Sequence, residues 1–257
     1  MELINLNEAV SIKKISETDT DGVFEIEGLY GGYGLTVGNA LRRVLLSSLP
    51  GAVITQFKIK GVNHEFSTIP NIVEDVVEIG LNLKKIRFRF FANEPQTLTL
   101  KIKGEKDVTA ADIETNSQVE IITPDVHIAT LTAKGAELEM EMKIEQGLGY
   151  VPVEARKLEK LPIGMIALDA FFSPVIRVNF SVENMRIGDR TDYNRLKVEI
   201  KTDGSITPSA ALVKSSDTMK GHFEKISKLE VRQITVPEVK EAKKAAKKTA
   251  KKKTAKK

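Results

Sequence analysis

The run Gly34-Leu35-Thr36-Val37-Gly38-Asn39-Ala40-Leu41-Arg42-Arg43-Val44-Leu45-Leu46-Ser47-Ser48-Leu49-Pro50-Gly51 is the most informative stretch of this 257-residue chain. It predicts a helix from Val37 to about Leu49, stopped by Pro50-Gly51. Val37, Ala40, Leu41, Val44, Leu45 and Ser48 share one face at i, i+3, i+4 spacing, a core-facing stripe. Leu46 points away from the centre of that stripe, Leu49 lies off it, and Arg42 and Arg43 project outside it. Such a helix can be buried twice, on its own core and on a partner, or Leu46 can simply be an exposed leucine. The adjacent arginines allow two readings as well. They are solvated flanks, or they are interface anchors, since each guanidinium offers a rigid fork of donors.

Working outward, Gly31-Gly32-Tyr33-Gly34 precedes this helix and superficially resembles a phosphate-binding turn. The third glycine of a dinucleotide fingerprint would fall at Val37, and no Lys-Ser/Thr pair follows. Tight turns before a helix explain the glycines. Upstream, Val10, Ile12 and Ile15 lead into the alternation Val23–Glu27, with Asp21-Gly22 as hairpin-turn chemistry. Downstream, residues 52–62 alternate as a strand. A second helix is expected over Ile72–Leu83, with Ile72, Val73, Val76, Val77 and Ile79 inward and Glu74, Asp75 and Glu78 on the wet side. Acidic residues suit its first turn, where the helix dipole favours them. Strands follow at Arg87–Phe91, Thr97–Ile102, Val119–Ile122, Val126–Leu131 and Leu138–Ile144. Residues 147–175 read as a Gly- and Pro-punctuated loop that packs. Strand signals resume at Val175–Val182 and Leu196–Ile200, and Asp203-Gly204 turns the chain. The class is α+β.

A final helix is expected from Pro208, a residue suited to the first turn, to about Lys228. Leu212, Ser216, Met219, Phe223 and Ile226 recur at steps of 4, 3, 4 and 3, a short heptad seam that Leu229 would extend. Gly221 costs about 1 kcal/mol of helix propensity, so packing must hold the helix. Periodicity leaves open whether that packing is within one chain or between two.

Composition is ordinary for a globular protein, 41% hydrophobic and 29% charged, but the net charge of +4 averages two unlike pieces. Of 39 basic and 35 acidic residues, ten lysines and one glutamate fall in residues 240–257; the first 239 keep 29 basic against 34 acidic. An acidic body thus carries a basic Lys/Ala/Thr tail. Without cysteine there is no disulfide framework, thiolate nucleophile or Cys-ligated zinc. No apolar run reaches a membrane span, and Met1–Asn5 lacks a signal-peptide start, so the expected setting is cytoplasmic with no membrane. His64, His127 and His222 show no metal-ligand spacing and read as packing or surface histidines. Asp107, Asp112, Asp169 and Asp192 form no acid cluster of the kind that holds Mg²⁺. No catalytic constellation emerges, and no metal or cofactor is expected.

The Gly34–Gly51 run closely resembles the signature of bacterial RNA polymerase α subunits. The likeness continues through His64-Glu65-Phe66-Ser67-Thr68, Glu74-Asp75, Leu81-Asn82-Leu83-Lys84 and Val108-Thr109-Ala110-Ala111-Asp112-Ile113. Gly149-Tyr150-Val151-Pro152, Pro162-Ile163-Gly164, Asp169-Ala170-Phe171-Phe172-Ser173-Pro174-Val175 and Arg190-Thr191-Asp192 complete it. It implies a discontinuous dimerisation domain, residues 1–50 and 176–232, with an antiparallel sheet and two interface helices. A mainly β insert domain, 51–175, interrupts it, and 233–257 is a disordered Lys-rich tail. The resemblance further implies a homodimeric scaffold on which the β and β′ subunits assemble, in a core enzyme that also holds ω. Arg43, with Arg42 beside it, resembles the family position associated with gripping the large β subunit. Lys84 and Leu168 resemble insert positions in large-subunit contact, and the dimer interface would use Leu46, Leu212, Met219, Phe223 and Ile226. The polymerase's catalytic Mg²⁺ would lie in β′, in accord with the missing constellation.

The family usually continues into a small C-terminal domain that binds promoter DNA; here the Lys-rich tail stands in that place. Its Lys243, Lys244, Lys247, Lys248, Lys251, Lys252 and Lys253 are candidate phosphate contacts, giving weak, salt-sensitive binding and nucleoid association through the polymerase. A rival reading, a small chromatin-like protein, takes the tail as primary, but the acidic body argues against it. A stand-alone enzyme lacks any site.

Overall fold

The computed structural model describes residues 10–92, 94–156 and 162–230. In chain order the strands are β1 Ser11–Glu17, β2 Asp21–Leu29, β3 Pro50–Ile59, β4 Phe88–Phe90, β5 Gln96–Lys103, β6 Lys106–Thr109 and β7 Val119–Ile121. They continue as β8 His127–Leu131, β9 Glu137–Leu148, β10 Tyr150–Val151, β11 Met165–Ala167, β12 Ala170–Phe171, β13 Val175–Ile187 and β14 Arg190–Thr202. The helices are α1 Tyr33–Ser47, α2 Val76–Leu83 and α3 Pro208–Ser227. Pairing is antiparallel throughout, in the order β1-β2-β14-β13 for one large sheet and β5-β9-β3-β4-β7 for the other, where β11 also pairs with β3; β6-β8 and β10-β12 are separate two-stranded pairs. The chain divides between Lys220 and Gly221, inside α3. Both sheets lie on the N-terminal side of that division.

Each sheet builds its own core. Phe24, Ile26, Leu41, Leu45, Leu49, Val178, Leu196, Val198 and Leu212 belong to one cluster, gathered from both ends of the chain. The second, from Ala52 to Ile166, is centred on Phe57, Ile79, Leu100, Leu138 and Met140. Strand β9 shows the reason. Leu138, Met140, Met142 and Ile144 alternate inward while Glu137, Glu139, Glu141 and Lys143 face out. A one-residue slip would exchange the two sets, so burial of one face sets the register. On the outer face Glu139 pairs with Lys60 at 2.6 Å and Lys101 at 3.3 Å. Such exposed pairs contribute only about 0–1 kcal/mol each.

Helix α1 begins four residues earlier than its apolar stripe predicts. Gly32, at φ 87°, turns the chain into it, a left-handed conformation that glycine adopts without a Cβ clash. Its buried line is Gly34, Gly38, Leu41 and Leu45, so the two glycines, absent from the predicted stripe, form half of the seat. Leu49 follows the helix and is 1% exposed, packed in the core rather than stray.

Three further expectations are corrected. The first hairpin turns at Asp19-Thr20, where the Thr18 amide donates to the Asp21 carbonyl at 2.8 Å, so Asp21-Gly22 opens β2 instead. Helix α2 is shorter than expected, because Asp75 caps it by accepting from the Glu78 amide at 2.7 Å, and Ile72 bridges to Leu131 as extended chain. Glu74 is therefore not on a wet helical face but buried. Strand β6, with only Val108 buried and little apolar alternation, lies outside the expected strands, and the expected 147–175 loop contains the short strands β10, β11 and β12.

Candidate functional site

The expected contact residues fall on two surfaces. On α1, Gly34 and Gly38 bring the helix backbone down onto β13 and β14. A Cβ at Gly38 would lie 2.7 Å from the Phe180 ring and 3.0 Å from Leu196. With that face buried, Arg42 and Arg43 stand on the opposite side, exposed, beside Leu35 and Asn39. Neither guanidinium has a hydrogen-bond or ion-pair partner among the described residues. Ser47 Oγ donates to the Arg43 carbonyl at 2.8 Å, closing the last turn. Two unpaired guanidiniums on a rigidly seated helix form a preorganised cationic face for carboxylates or carbonyls.

The second surface is a groove of about 250 Å³ between α2 and the segment from β11 to Leu168. Phe66, Val77, Gly80, Leu81, Lys84 and Leu168 line it, with Phe57 at its floor. Lys84 and Leu168, remote in sequence, meet here. Lys84 Nζ lies 3.3 Å from Asp169 Oδ2, and the Asp169 carboxylate also accepts from the Val153 amide at 3.1 Å. That amide first, then the Lys84 ammonium and the Arg156 charge, hold the Asp169 carboxyl below the usual carboxylate range. Arg156 donates to the carbonyls of Leu168 and Thr55, pinning the strand end that carries Leu168. The groove wall is apolar and open, with Phe66 80% exposed and Leu81 55%. Val77, assigned inward from its spacing, lines the groove instead. Glu65, Asp169 and Arg156 were not singled out as contacts. The exposed apolar pair Val77 and Leu81, four apart on α2, was the legible signal for this groove.

Near the start of α2, Glu74 accepts from the Thr130 amide at 2.7 Å and lies 2.7 Å from His127 Nε2. Burial works to raise its pKa, but the His127 and Thr130 hydrogen bonds outweigh it and leave the carboxyl lowered. His127 is thus an exposed hydrogen-bond partner of Glu74. Among the described residues no group of three or more His, Asp or Glu is placed to hold a metal ion.

The expected dimer residues divide. Leu212 is buried in its own chain's core, Leu46 and Met219 pack partly against that core, and Phe223 and Ile226 are 62% and 65% exposed. The seven tail lysines, Lys243 to Lys253, lie outside the described residues. Among the described residues no helix is long and apolar enough to cross a membrane.

A mainly antiparallel chain that exposes an unpaired arginine pair on one helix and an open apolar groove beside another presents surfaces of the kind proteins use to bind proteins. Residues 57–173 match the RNA polymerase Rpb3/RpoA insert domain. Over 229 residues, 89% of this chain and 73% of the relative, the sequence is 47% identical to the DNA-directed RNA polymerase subunit alpha of Carboxydothermus hydrogenoformans. It is 49% identical over 214 residues to that of Alkaliphilus oremlandii, covering 83% of the chain and 67% of the relative. It is 48% identical over 210 residues to that of Symbiobacterium thermophilum, 82% and 66%. The chain belongs to the family of DNA-directed RNA polymerase α subunits, and spans about two thirds of the length of these relatives.

Proposed function

We propose that the chain acts as a homodimeric α-subunit scaffold, nucleating assembly of the β and β′ subunits for DNA-templated RNA synthesis without supplying the catalytic site. The observation that carries this reading is near-50% identity to named α subunits along more than four fifths of the chain. The exposed Arg42/Arg43 face supports a contact with β, since unpaired guanidiniums are favoured interface anchors. The Lys84/Leu168 groove supports a second large-subunit contact. Phe223 and Ile226, at heptad spacing and exposed, support dimerisation through α3, with Leu46 flanking and Met219 in the seam; Leu212 contributes from beneath, by seating the helix. We assign the Lys-rich tail a weak, sequence-independent contact with upstream DNA. Affinity purification of the tagged chain followed by mass spectrometry tests the scaffold: β, β′ and ω should co-purify. Nucleic acid without those subunits would reverse it.

A further inference from the structure

The two cores are separate clusters, and the chain passes between them twice, near Gly51 and near Phe172. These crossings touch, for a side chain at Gly51 would collide with the Phe172 carbonyl. Two adjacent crossings make an axis, and by themselves leave rotation about it unopposed. A small third core of Val53, Ala170 and Phe172 packs at the crossings themselves, and beside it the space is open. A cavity of about 280 Å³ opens there, lined by Gly51, Phe88, Phe91, Gln146, Ile206 and Lys214 among others.

Away from that small core, two arginines supply hydrogen bonds and an ion pair across the junction. Arg87, just before β4, and Arg89, within it, are two residues apart and so project to one side of the extended chain. Both reach the turn between β14 and α3. Arg89 donates from Nε to the Ser205 carbonyl and from Nη2 to the Gly204 carbonyl, each at 3.4 Å, and its Nη1 pairs with Glu120 at 2.9 Å. Arg87 Nε lies 3.7 Å from Asp203 Oδ2, and its Nη1 donates to the Phe171 carbonyl at 3.4 Å. The receiving turn is itself fixed. Asp203 Oδ1 accepts from the Ser205 amide at 3.0 Å and hydroxyl at 2.6 Å, and the Thr202 amide donates to the Thr20 carbonyl at 2.7 Å.

We propose that Arg87 and Arg89 are positioning residues, an off-axis clamp on Asp203–Ser205 that sets the angle of the insert against the β1-β2-β14-β13 layer. That angle fixes the spacing between the Arg42/Arg43 face and the Lys84/Leu168 groove. The guanidinium fork suits the task, because one side chain spans two carbonyls and a carboxylate where a lysine cannot. The consequence for assembly rests on the scaffold reading above; the clamp itself does not.

The chain contains no cysteine, so cysteines introduced at Lys103 and Asp189 can carry a unique fluorophore pair across the junction. Labelled chain, diluted into excess unlabelled chain, should give one narrow single-molecule distance. In Arg87→Gln/Arg89→Gln the distribution should broaden or shift by several ångströms, with Arg89→Lys between the two. Single Arg89→Gln serves if the double variant does not fold. Binding of purified β and β′ should fall several-fold while dimer elution is unchanged. A merely stabilising pair would lower the melting temperature and leave the distance alone, and an unchanged distance overturns the clamp. Broadening with normal binding, while Arg43→Ala and Lys84→Ala weaken it, overturns the role in assembly. Normal binding by those two variants overturns the scaffold reading instead, and the distance alone then decides the clamp.

Discussion

Replacing Gly38 by alanine sets two known effects against each other. In an ordinary helix the change gains about 0.8–1 kcal/mol, because alanine loses less backbone entropy on ordering. Here the new methyl would lie 2.7 and 2.8 Å from two Phe180 ring carbons and 3.0 Å from Leu196 Cδ1. Comfortable carbon contacts are about 3.5–4.0 Å, so the overlap is close to 1 Å. Leu196 is fully buried and cannot retreat. Over-packing of this kind costs about 1–3 kcal/mol, so the balance is a net loss of about 1 kcal/mol. Gly221, also in a helix, has nothing within 4 Å of its Cβ position, and Gly221→Ala should keep the helical gain. Urea unfolding of both variants, at one fixed protein concentration because dimerisation couples to stability, gives the comparison. Gly38→Ala should lower the midpoint and Gly221→Ala raise it or leave it unchanged. A Gly38→Ala protein more stable than the parent would refute the close seating of α1, and with it the rigid presentation of Arg42 and Arg43.

Other outcomes follow from the same geometry. Arg43→Ala should weaken β binding by about 2 kcal/mol, the scale of an interface hot spot, with the dimer intact, and Arg42→Ala is the matched control in the same reconstitution. Glutamate at both Phe223 and Ile226 should yield monomers or insoluble protein; a dimer by light scattering would remove α3 from the interface. Glu17 accepts from the Ser209 amide at 2.9 Å, and Ser209 and Lys14 hold its carboxyl down to about 2. Because the folded pKa is depressed, its contribution is complete above the unfolded value near 4.5 and disappears as pH falls through about 2. Glu17→Gln should therefore cost about 1 kcal/mol at pH 6, the scale of a lost helix cap, and only a small part of that at pH 2, where the folded-state carboxyl is already half protonated, read from urea midpoints. Polymerase assembled with residues 1–239 should match the full chain in assembly but lose low-salt affinity for upstream DNA; equal affinity at every salt would end that role for the tail.

The local periods of this chain are enough to place α1, α3 and the strand runs of β3 and β9, but not the inward face of β3, where Ala52–Phe57 are all buried around a bulge between Ile54 and Gln56. Each depends on neighbours three, four or two residues away, and the family signature lies inside one such helix. Distance along the chain is where that reading stopped. Glu74 looks solvent-facing in a helical window and is buried, because Thr130 and His127 arrive from β8 to satisfy it. Leu212 and Phe223 share one heptad seam, yet one is 9% exposed and the other 62%. Periodicity supplies a face and says nothing about where along the helix the core ends. The meeting of Lys84 with Asp169, 85 residues on, and of Arg89 with Ser205, 116 residues on, comes from the packing of distant segments, the end of α2 on the segment after β11 and β4 on the turn after β14. Only the folded layers decide which segments meet, since burying one face of each strand is a property of the whole layer and of no single window.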